Sequence, residues 1–189
     1  MRRLTKVLLL SATLALVWAP VSARADGFVS PFIGTNFGTD SGNGRASFGA
    51  NAGYMGGGVI GGELDFGYAP SFFGNAGDFG SNYVMDAMGN LIVGVPIGGT
   101  RGAGVRPYVT IGAGLIRSQI TAGVANAVVA VSDNDLGVNA GAGLMGFMSQ
   151  HVGLRGDVRY FRNLTGDTAN NIDFGSFHFW RASFGVVLR

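Results

Sequence analysis

Apolar residues alternate with polar or small ones along this sequence, and this period of two constrains the fold more than any other feature. In the clearest stretch, Leu64 and Phe66 share one face of an extended chain while Glu63 and Asp65 share the opposite face. Successive side chains of a β-strand point to opposite faces, so this pattern predicts strands. No stretch past residue 26 stands out with the period of an amphipathic helix. We therefore expect an all-β fold.

Eight such segments occur, and the lengths of their connections alternate. The segments lie at 28–36, 47–55, 60–68, 83–97, 105–115, 138–144, 154–160 and 179–188. Long connections at about 37–45, 71–82, 119–134 and 164–176 alternate with short ones at about 56–58, 98–104 and 149–151. An antiparallel up-and-down meander with both termini on the short-turn side produces this alternation. In outer-membrane barrels the short turns face the periplasm and the long loops face outward.

Polarity indicates which face of these strands meets solvent. The apolar face is nearly free of charge, and the other face carries Gly, Ser, Asn and charged residues. A soluble barrel is apolar inside and polar outside, and an eight-stranded interior is too narrow for so many large apolar side chains. The pattern predicts an eight-stranded transmembrane β-barrel, with a soluble lipocalin-like barrel or a periplasmic sandwich as the alternatives. Five aromatic residues are expected at the membrane interfaces: Tyr54, Tyr68, Tyr83, Tyr160 and Trp180.

The first 25 residues have the organisation of an export signal. A basic start is followed by an apolar run from Val7 to Ala19 and by the tripeptide Ala23-Arg24-Ala25. This order predicts a signal peptide at 1–25, cleaved before Asp26, and an outer-membrane barrel domain at 26–189. The apolar run is shorter than the roughly 20 residues that a membrane-spanning helix needs.

Composition excludes several kinds of chemistry. Cysteine is absent and no lysine follows Lys6, which excludes thiol catalysis, cysteine-ligated metals and Schiff-base chemistry in the exported chain. Four of the 13 basic residues and none of the 11 acidic ones lie in the leader, so the exported chain is slightly acidic. Nothing in this balance suggests a nucleic-acid partner. We predict no cofactor and no metal site.

Seven charged residues fall on the inward face of the predicted strands. They are Glu63, Asp65, Arg106, Arg155, Asp157, Arg159 and Arg181, with Asp86 as a fourth acid nearer the outer end. A lone buried charge costs several kcal/mol, so these groups are expected to pair. We predict a charge network that plugs the lumen, and inward glycines leave room for the long arginines. A gated polar path, as in a narrow porin-like channel for small solutes, is the alternative.

Two arginines have the opposite parity. Arg117 continues the lipid-facing side of Leu115, and Arg162 continues that of Tyr160. Both lie near the predicted outer end, where a guanidinium reaches the headgroup level. Contact with the phosphates of lipopolysaccharide is expected there, with loop positions as the alternative.

No catalytic residues are assigned. The sequence contains no Gly-x-Ser-x-Gly motif, and His151 and His178 lack metal-ligand spacing. His151 falls in a predicted turn. His178 lies near Asp173 and Ser176 at the outer end of the last strand, which keeps an outer-membrane lipid-modifying enzyme as an alternative.

Three segments resemble the outer-membrane β-barrel domain family, the small barrels similar to the outer-membrane protein A transmembrane domain and opacity-type proteins. They are residues 88–98 (MGNLIVGVPIG), 105–115 (VRPYVTIGAGL) and 151–162 (HVGLRGDVRYFR). The resemblance covers the mature chain and implies a barrel inserted by the outer-membrane assembly machinery, with no defined reaction. Such barrels usually end on an aromatic residue, whereas this sequence ends on Arg189 and retains Trp180 and Phe184 upstream. The function expected is a structural or surface-interaction role in the outer membrane. Its partners would be lipid, lipopolysaccharide and an extracellular ligand of the loops.

Overall fold

A computed structural model describes residues 25–38, 44–74, 81–98, 102–124, 127–164 and 177–189. Residues 1–24 of the predicted leader (1–25) and much of three predicted loops, at 37–45, 71–82 and 164–176, lie outside these residues. None of the described residues forms a helix that is long and apolar enough to cross a membrane.

Eight antiparallel strands form a closed barrel, which confirms the predicted fold. They are β1 (Ala25–Phe37), β2 (Arg45–Gly56), β3 (Ile60–Pro70), β4 (Ser81–Gly94), β5 (Gly104–Val124), β6 (Ala127–Phe147), β7 (Val152–Asn163) and β8 (His178–Leu188). Each strand pairs with its neighbour in sequence, and β1 pairs with β8 to close the barrel. Closure leaves no free sheet edge within the paired region, as a hydrocarbon environment requires.

Side chains alternate between the lumen and the outer surface along each strand. On β3, Glu63 and Asp65 are buried while Leu64 is 69% exposed. The turn between β2 and β3 uses Gly57 and Gly58 at φ of 58° and 71°, a backbone conformation that favours glycine. We call the end of the barrel with this turn the turn end, and the opposite end the loop end.

The connection between β5 and β6 differs from the prediction. Both strands have 21 residues and stay paired as far as Val124 and Ala127, where a long loop at 119–134 was predicted. Strand β7 pairs with β6 only from Gly137 onward, so the hairpin extends past the end of β7. The sequence here is rich in β-branched residues, including Ile120, Thr121 and Val124, which favour strands. The cluster of Asp, Asn and Ser at 132–135 had pointed to a loop.

Two apolar clusters occupy the lumen, one towards each end. The turn-end cluster consists of Phe28, Met55, Ile92, Tyr108, Met145, Phe147 and Val187. The loop-end cluster consists of Ala69, Phe72, Val84, Met88, Ile116, Phe161 and Phe179, with Phe73 and Phe177 packed against it. Polar and charged side chains lie between the two clusters.

Candidate functional site in the barrel lumen

Seven charged side chains from four strands form what we call the central charge layer. They are Glu63 and Asp65 on β3, Asp86 on β4, Arg155, Asp157 and Arg159 on β7, and Arg181 on β8. All seven are at most 5% exposed. Because residues two apart on a strand share a face, Glu63 with Asp65 and Arg155 with Asp157 and Arg159 point into the same space.

Arg159 occupies the middle of this layer and contacts three carboxylates. Its Nη1 lies 2.7 Å from Asp65 Oδ2, and its Nη2 lies 2.8 Å from Glu63 Oε1. Its Nε donates to Asp157 Oδ1 at 3.2 Å. A guanidinium presents five donors in a rigid plane and can bind three acceptors at once, which a lysine ammonium does less well.

Arg155 and Arg181 extend the network to both sides of Arg159. Arg155 Nη1 lies 2.6 Å from Glu63 Oε2, and its Nε lies 3.1 Å from Asp157 Oδ2. Arg181 Nη1 lies 3.0 Å from Asp86 Oδ1, and its Nη2 donates to both oxygens of Asp65. Glu63, Asp65 and Asp157 therefore each contact two arginines. A continuous series of ion pairs connects β4, β8, β3 and β7.

Neutral side chains complete the hydrogen bonding of the layer. The Tyr108 hydroxyl donates to Asp157 Oδ2 at 2.7 Å and accepts from Arg155 Nε at 2.8 Å. Ser183 Oγ donates to Asp157 Oδ1 at 2.9 Å. Asn90 Nδ2 donates to Glu63 Oε1 at 3.3 Å. Sequence reasoning put Tyr108 on the inward face with Arg106 but did not include its hydroxyl in the network, since a tyrosine carries no charge.

Aromatic rings and small residues shape the space around the arginines. The Arg181 guanidinium lies 4.6 Å from the Phe161 ring centroid and 4.8 Å from that of Phe32, distances typical of cation–π contacts. A Cβ added at Gly67 would overlap Arg181 Nη1 and a carboxylate oxygen of Asp86. Gly67 thus makes room for a long side chain from across the lumen.

Arg106 lies apart from the other predicted network residues, at the turn end. Its Nη2 is 3.8 Å from Asp26 Oδ2, and its Nη1 is 3.6 Å from Met55 Sδ. Arg189 Nη1 is 3.5 Å from the same Asp26 oxygen, and both guanidinium groups lie over the Phe147 ring. We call Arg106 and Arg189 the turn-end arginine pair. Asp86 lies two residues closer to the loop end than Asp65 in the strand register, as predicted, and Arg181 connects it to the central charge layer.

Arg117 and Arg162 are exposed on the outer surface near the loop end. Arg117 is the cross-strand partner of Met85, and Arg162 is that of His178. Tyr68, Tyr83, Tyr160 and Trp180 lie at the same end in two aromatic groups. The first group places Tyr68 at 5.3 Å from Phe48 and 5.6 Å from Tyr83 between ring centroids. In the second, Tyr160 is 5.1 Å from Trp180. Tyr54 lies near the turn end.

The two histidines lie outside the lumen. His178 is exposed, with its ring 5.9 Å from Tyr160, and His151 is exposed in the turn before β7. Asp173 and Ser176, which were considered with His178, lie outside the described residues. Within the described ranges, no group of three or more His, Cys, Asp or Glu residues is arranged to hold a metal ion.

Comparisons with known proteins agree with this architecture. The model of the outer membrane protein beta-barrel domain family matches residues 9–186, beginning inside the predicted leader. The sequence matches no curated protein.

Three solved structures illustrate the similarity in fold. The N-terminal barrel domain of Pseudomonas aeruginosa OprF has a TM-score of 0.58 and 18% identity, covering 87% of this chain and 96% of the other. Neisserial surface protein A has a TM-score of 0.65 and 15% identity, with 87% and 97% covered. The Yersinia pestis attachment invasion locus protein, in complex with the heparin analogue sucrose octasulfate, has a TM-score of 0.51 and 14% identity, with 86% and 99% covered.

Proposed function

Because the chain belongs to the outer membrane protein beta-barrel domain family, we propose that it is a closed-lumen barrel that acts at the cell surface through its loops. The chain is an integral outer-membrane protein with an eight-stranded barrel. The proposed role is structural or interactive, and solute conduction is not part of it. The same proposal includes cleavage of the leader before Asp26 and insertion by the outer-membrane assembly machinery.

The filling of the lumen is the observation that carries the closed state. A solute crossing the barrel would have to pass the turn-end cluster, the central charge layer and the loop-end cluster in turn. Arg159 is 0% exposed and holds three carboxylates. Separating one partner from a buried ion pair costs about 3–5 kcal/mol, and a path through this layer needs several such separations.

Conductance across a planar bilayer tests the closed state. We expect the purified, refolded barrel to give no reproducible discrete steps, while a general porin in the same bilayer gives them. Discrete steps in the wild-type protein that disappear in Arg155→Gln or Arg159→Gln would contradict the proposal and favour the narrow channel.

A surface role requires a partner outside the cell, and the connections at 75–80 and 165–176 are the candidate contacts. The attachment invasion locus protein was solved with a heparin analogue, so a sulfated polysaccharide is a suitable first probe for this chain. We expect cells that display the barrel to adhere to a heparin-coated surface. Adhesion should fall when both loops are replaced by short Gly-Ser connections. Equal adhesion by cells with the wild-type barrel, the shortened loops or no barrel would reject this probe as the loop ligand.

The proposal assigns no reaction to the chain. Loss of a lipid-modifying enzyme would change the outer-membrane lipid, whereas loss of a structural barrel would leave its covalent chemistry intact. Mass analysis of outer-membrane lipid from a strain lacking the protein distinguishes the two, with unchanged lipid expected. A change that is restored by the wild type and not by His178→Ala would support the enzyme instead.

The proposal also includes a lipid contact on the outer surface. Arg117 and Arg162 are exposed near the loop end, and under this proposal their guanidinium groups reach the outer headgroup level. A phosphate of lipopolysaccharide is the anion expected there, because charge-assisted contacts from arginine suit its geometry.

A further inference from the structure

Two shallow grooves cross the outer surface, and small outward residues line both. The first groove, of about 460 Å³, lies on β2, β3 and β4. Its small residues are Ala50, Ala52, Ala87 and Gly89, and Leu64 and Phe66 project from its middle strand. The second groove, of about 530 Å³, lies on β8, β1 and β2. Its outward small residues are Thr35, Ala46 and Ala182, beside Ile33, Phe48 and Phe184.

The register places a row of aromatic side chains, which we call an aromatic step, on the loop-end side of the first groove. Ala50, Phe66 and Ala87 are cross-strand neighbours that point outward. The next outward residues on these strands towards the loop end are Phe48, Tyr68 and Met85, and Arg117 on β5 continues that cross-strand row. The rings of Phe48, Tyr68 and Tyr83 form a continuous aromatic surface in this region. Arg117 therefore stands at the end of the row that borders the groove.

A similar aromatic row borders the second groove. The next outward residues towards the loop end from Thr35 and Ala182 are Phe37 and Trp180, and Tyr160 on β7 continues that cross-strand row. The next row pairs Arg162 with His178. Each groove is thus bordered towards the loop end by an aromatic step with an arginine beside it. Arg117 lies at the end of the first step, on β5, and Arg162 lies one outward position beyond the second step, on β7. The two grooves have no lining residue in common.

The distribution of charge over the outer surface singles out these two positions. Among strand residues whose side chains the structure describes, Arg117 and Arg162 are the only charged side chains at outward positions. Charge on the lipid face of a barrel is strongly unfavourable at the membrane midplane and costs little near the interface. Each of these arginines lies on the strand next to a groove, so an anion is expected at about the level of the aromatic steps.

We propose that each groove seats one lipopolysaccharide molecule. An acyl chain lies over the small residues, the sugars pack against the aromatic step, and a phosphate meets the arginine. This proposal rests on the lipid contact of Arg117 and Arg162 proposed above, and it adds the grooves and the stoichiometry of two. The loop end faces the outer leaflet, where lipopolysaccharide is the lipid that combines acyl chains, sugars and phosphates. A phospholipid would engage the groove and the arginine but gives the aromatic rings no sugar to contact.

Filling each groove separately tests its part in binding. The double substitution Ala87→Leu with Gly89→Leu fills the first groove, and Ala46→Leu with Ala182→Leu fills the second. A Cβ at Gly89 would lie 3.8 Å from its nearest neighbour, the Ala113 carbonyl oxygen, so the wall accepts a side chain there. Ala142→Leu with Gly146→Leu adds the same kind of bulk on β6, away from both grooves and both aromatic steps, and a Cβ at Gly146 would meet no atom within 4 Å. A heat-dependent gel shift checks that every variant closes into a barrel.

Native mass spectrometry of the barrel released from nanodiscs counts bound lipid. With lipid A in the nanodisc, we expect two bound molecules for the wild type and for the β6 control, and one for each groove-filled variant. Arg117→Gln and Arg162→Gln should each weaken binding at one site by about tenfold, the effect of one lost charge-assisted contact. Nanodiscs of phosphatidylglycerol should give little specific binding.

The outcomes separate the two proposals. If the arginine variants lose lipid A and the groove-filled variants keep two molecules, the headgroup contact stands and the grooves are rejected as seats. Unchanged binding in all of these variants rejects both. Equal binding of phosphatidylglycerol identifies a general anionic-lipid surface and overturns lipopolysaccharide as the occupant.

Discussion

The central charge layer and the turn-end arginine pair both bury arginines in the same lumen, but they hold them differently. In the central layer the guanidinium groups meet carboxylates at 2.6 to 3.2 Å, and each one binds at least two acids. At the turn end, Arg106 and Arg189 share the single carboxylate of Asp26 at 3.8 and 3.5 Å. The difference follows from access to water. The central carboxylates are 0 to 5% exposed and need protein partners, whereas Asp26 is 23% exposed and also meets solvent.

This comparison indicates that the loss of stability on removing an arginine depends on the carboxylates that remain and on their other partners. Removing Arg159 leaves the four buried carboxylates of the central charge layer with only two arginines, Arg155 and Arg181. Removing Arg106 leaves one carboxylate that keeps both water and Arg189. Buried negative charge without enough cations to balance it is strongly destabilising, while a partly exposed pair contributes little. Two arginines of similar burial are therefore expected to differ several-fold in their effect on stability.

Arg159→Gln should have the largest effect. The substitution keeps polar atoms in place but removes the positive charge that Glu63, Asp65 and Asp157 share. We expect the free energy of unfolding to fall by about 3–5 kcal/mol, measured by urea unfolding of the refolded barrel. A loss below about 1 kcal/mol would show that water or the other arginines satisfy the central acids, and the contrast between the two regions would disappear.

Tyr108→Phe should have an intermediate effect, because it removes a neutral hydrogen-bonding partner from the same layer. The hydroxyl bonds to Asp157 and Arg155 at 2.7 and 2.8 Å. Hydrogen bonds to charged groups contribute about 1.5–3 kcal/mol, so a loss in this range is expected in the same urea experiment. Tyr83→Phe is the matched control, since its hydroxyl bonds to Gln119 at 2.7 Å on the outer surface. Equal losses for the two variants would mean that the lumen confers no extra strength on the Tyr108 contacts.

The sequence predicted much of this site because strand parity determines which face a side chain occupies. Glu63, Asp65 and the alternating charges of β7 fall inward in any register that keeps the apolar face towards lipid. Parity does not give the direction that a long side chain takes along the barrel axis. Arg106 and Arg155 occupy one cross-strand row through Met145, yet Arg155 joins the central layer while Arg106 turns to Asp26.

Other features depend on three-dimensional information that alternation does not contain. The bond between Asp86 and Arg181 could not be predicted, since it depends on the stagger of β4 against β8 around the barrel. The β5–β6 hairpin was predicted as a loop because polar residues at 132–135 indicated a turn. Pairing with β5 continues through these positions. Stagger and cross-strand pairing are tertiary properties, and local propensity is weak evidence for them.

Arg106→Gln should have the smallest effect and completes the comparison. The guanidinium has a distant carboxylate and a methionine sulfur as partners, and Asp26 keeps its contact with Arg189 after the substitution. We expect a loss of about 1 kcal/mol or less in urea unfolding. High salt should reduce this loss further, because exposed charges are screened, and it should leave the cost of Arg159→Gln nearly unchanged. If Arg106→Gln destabilised the barrel as much as Arg159→Gln at every salt concentration, the turn end would be as dry as the centre. The difference in contact distances would then have no energetic meaning.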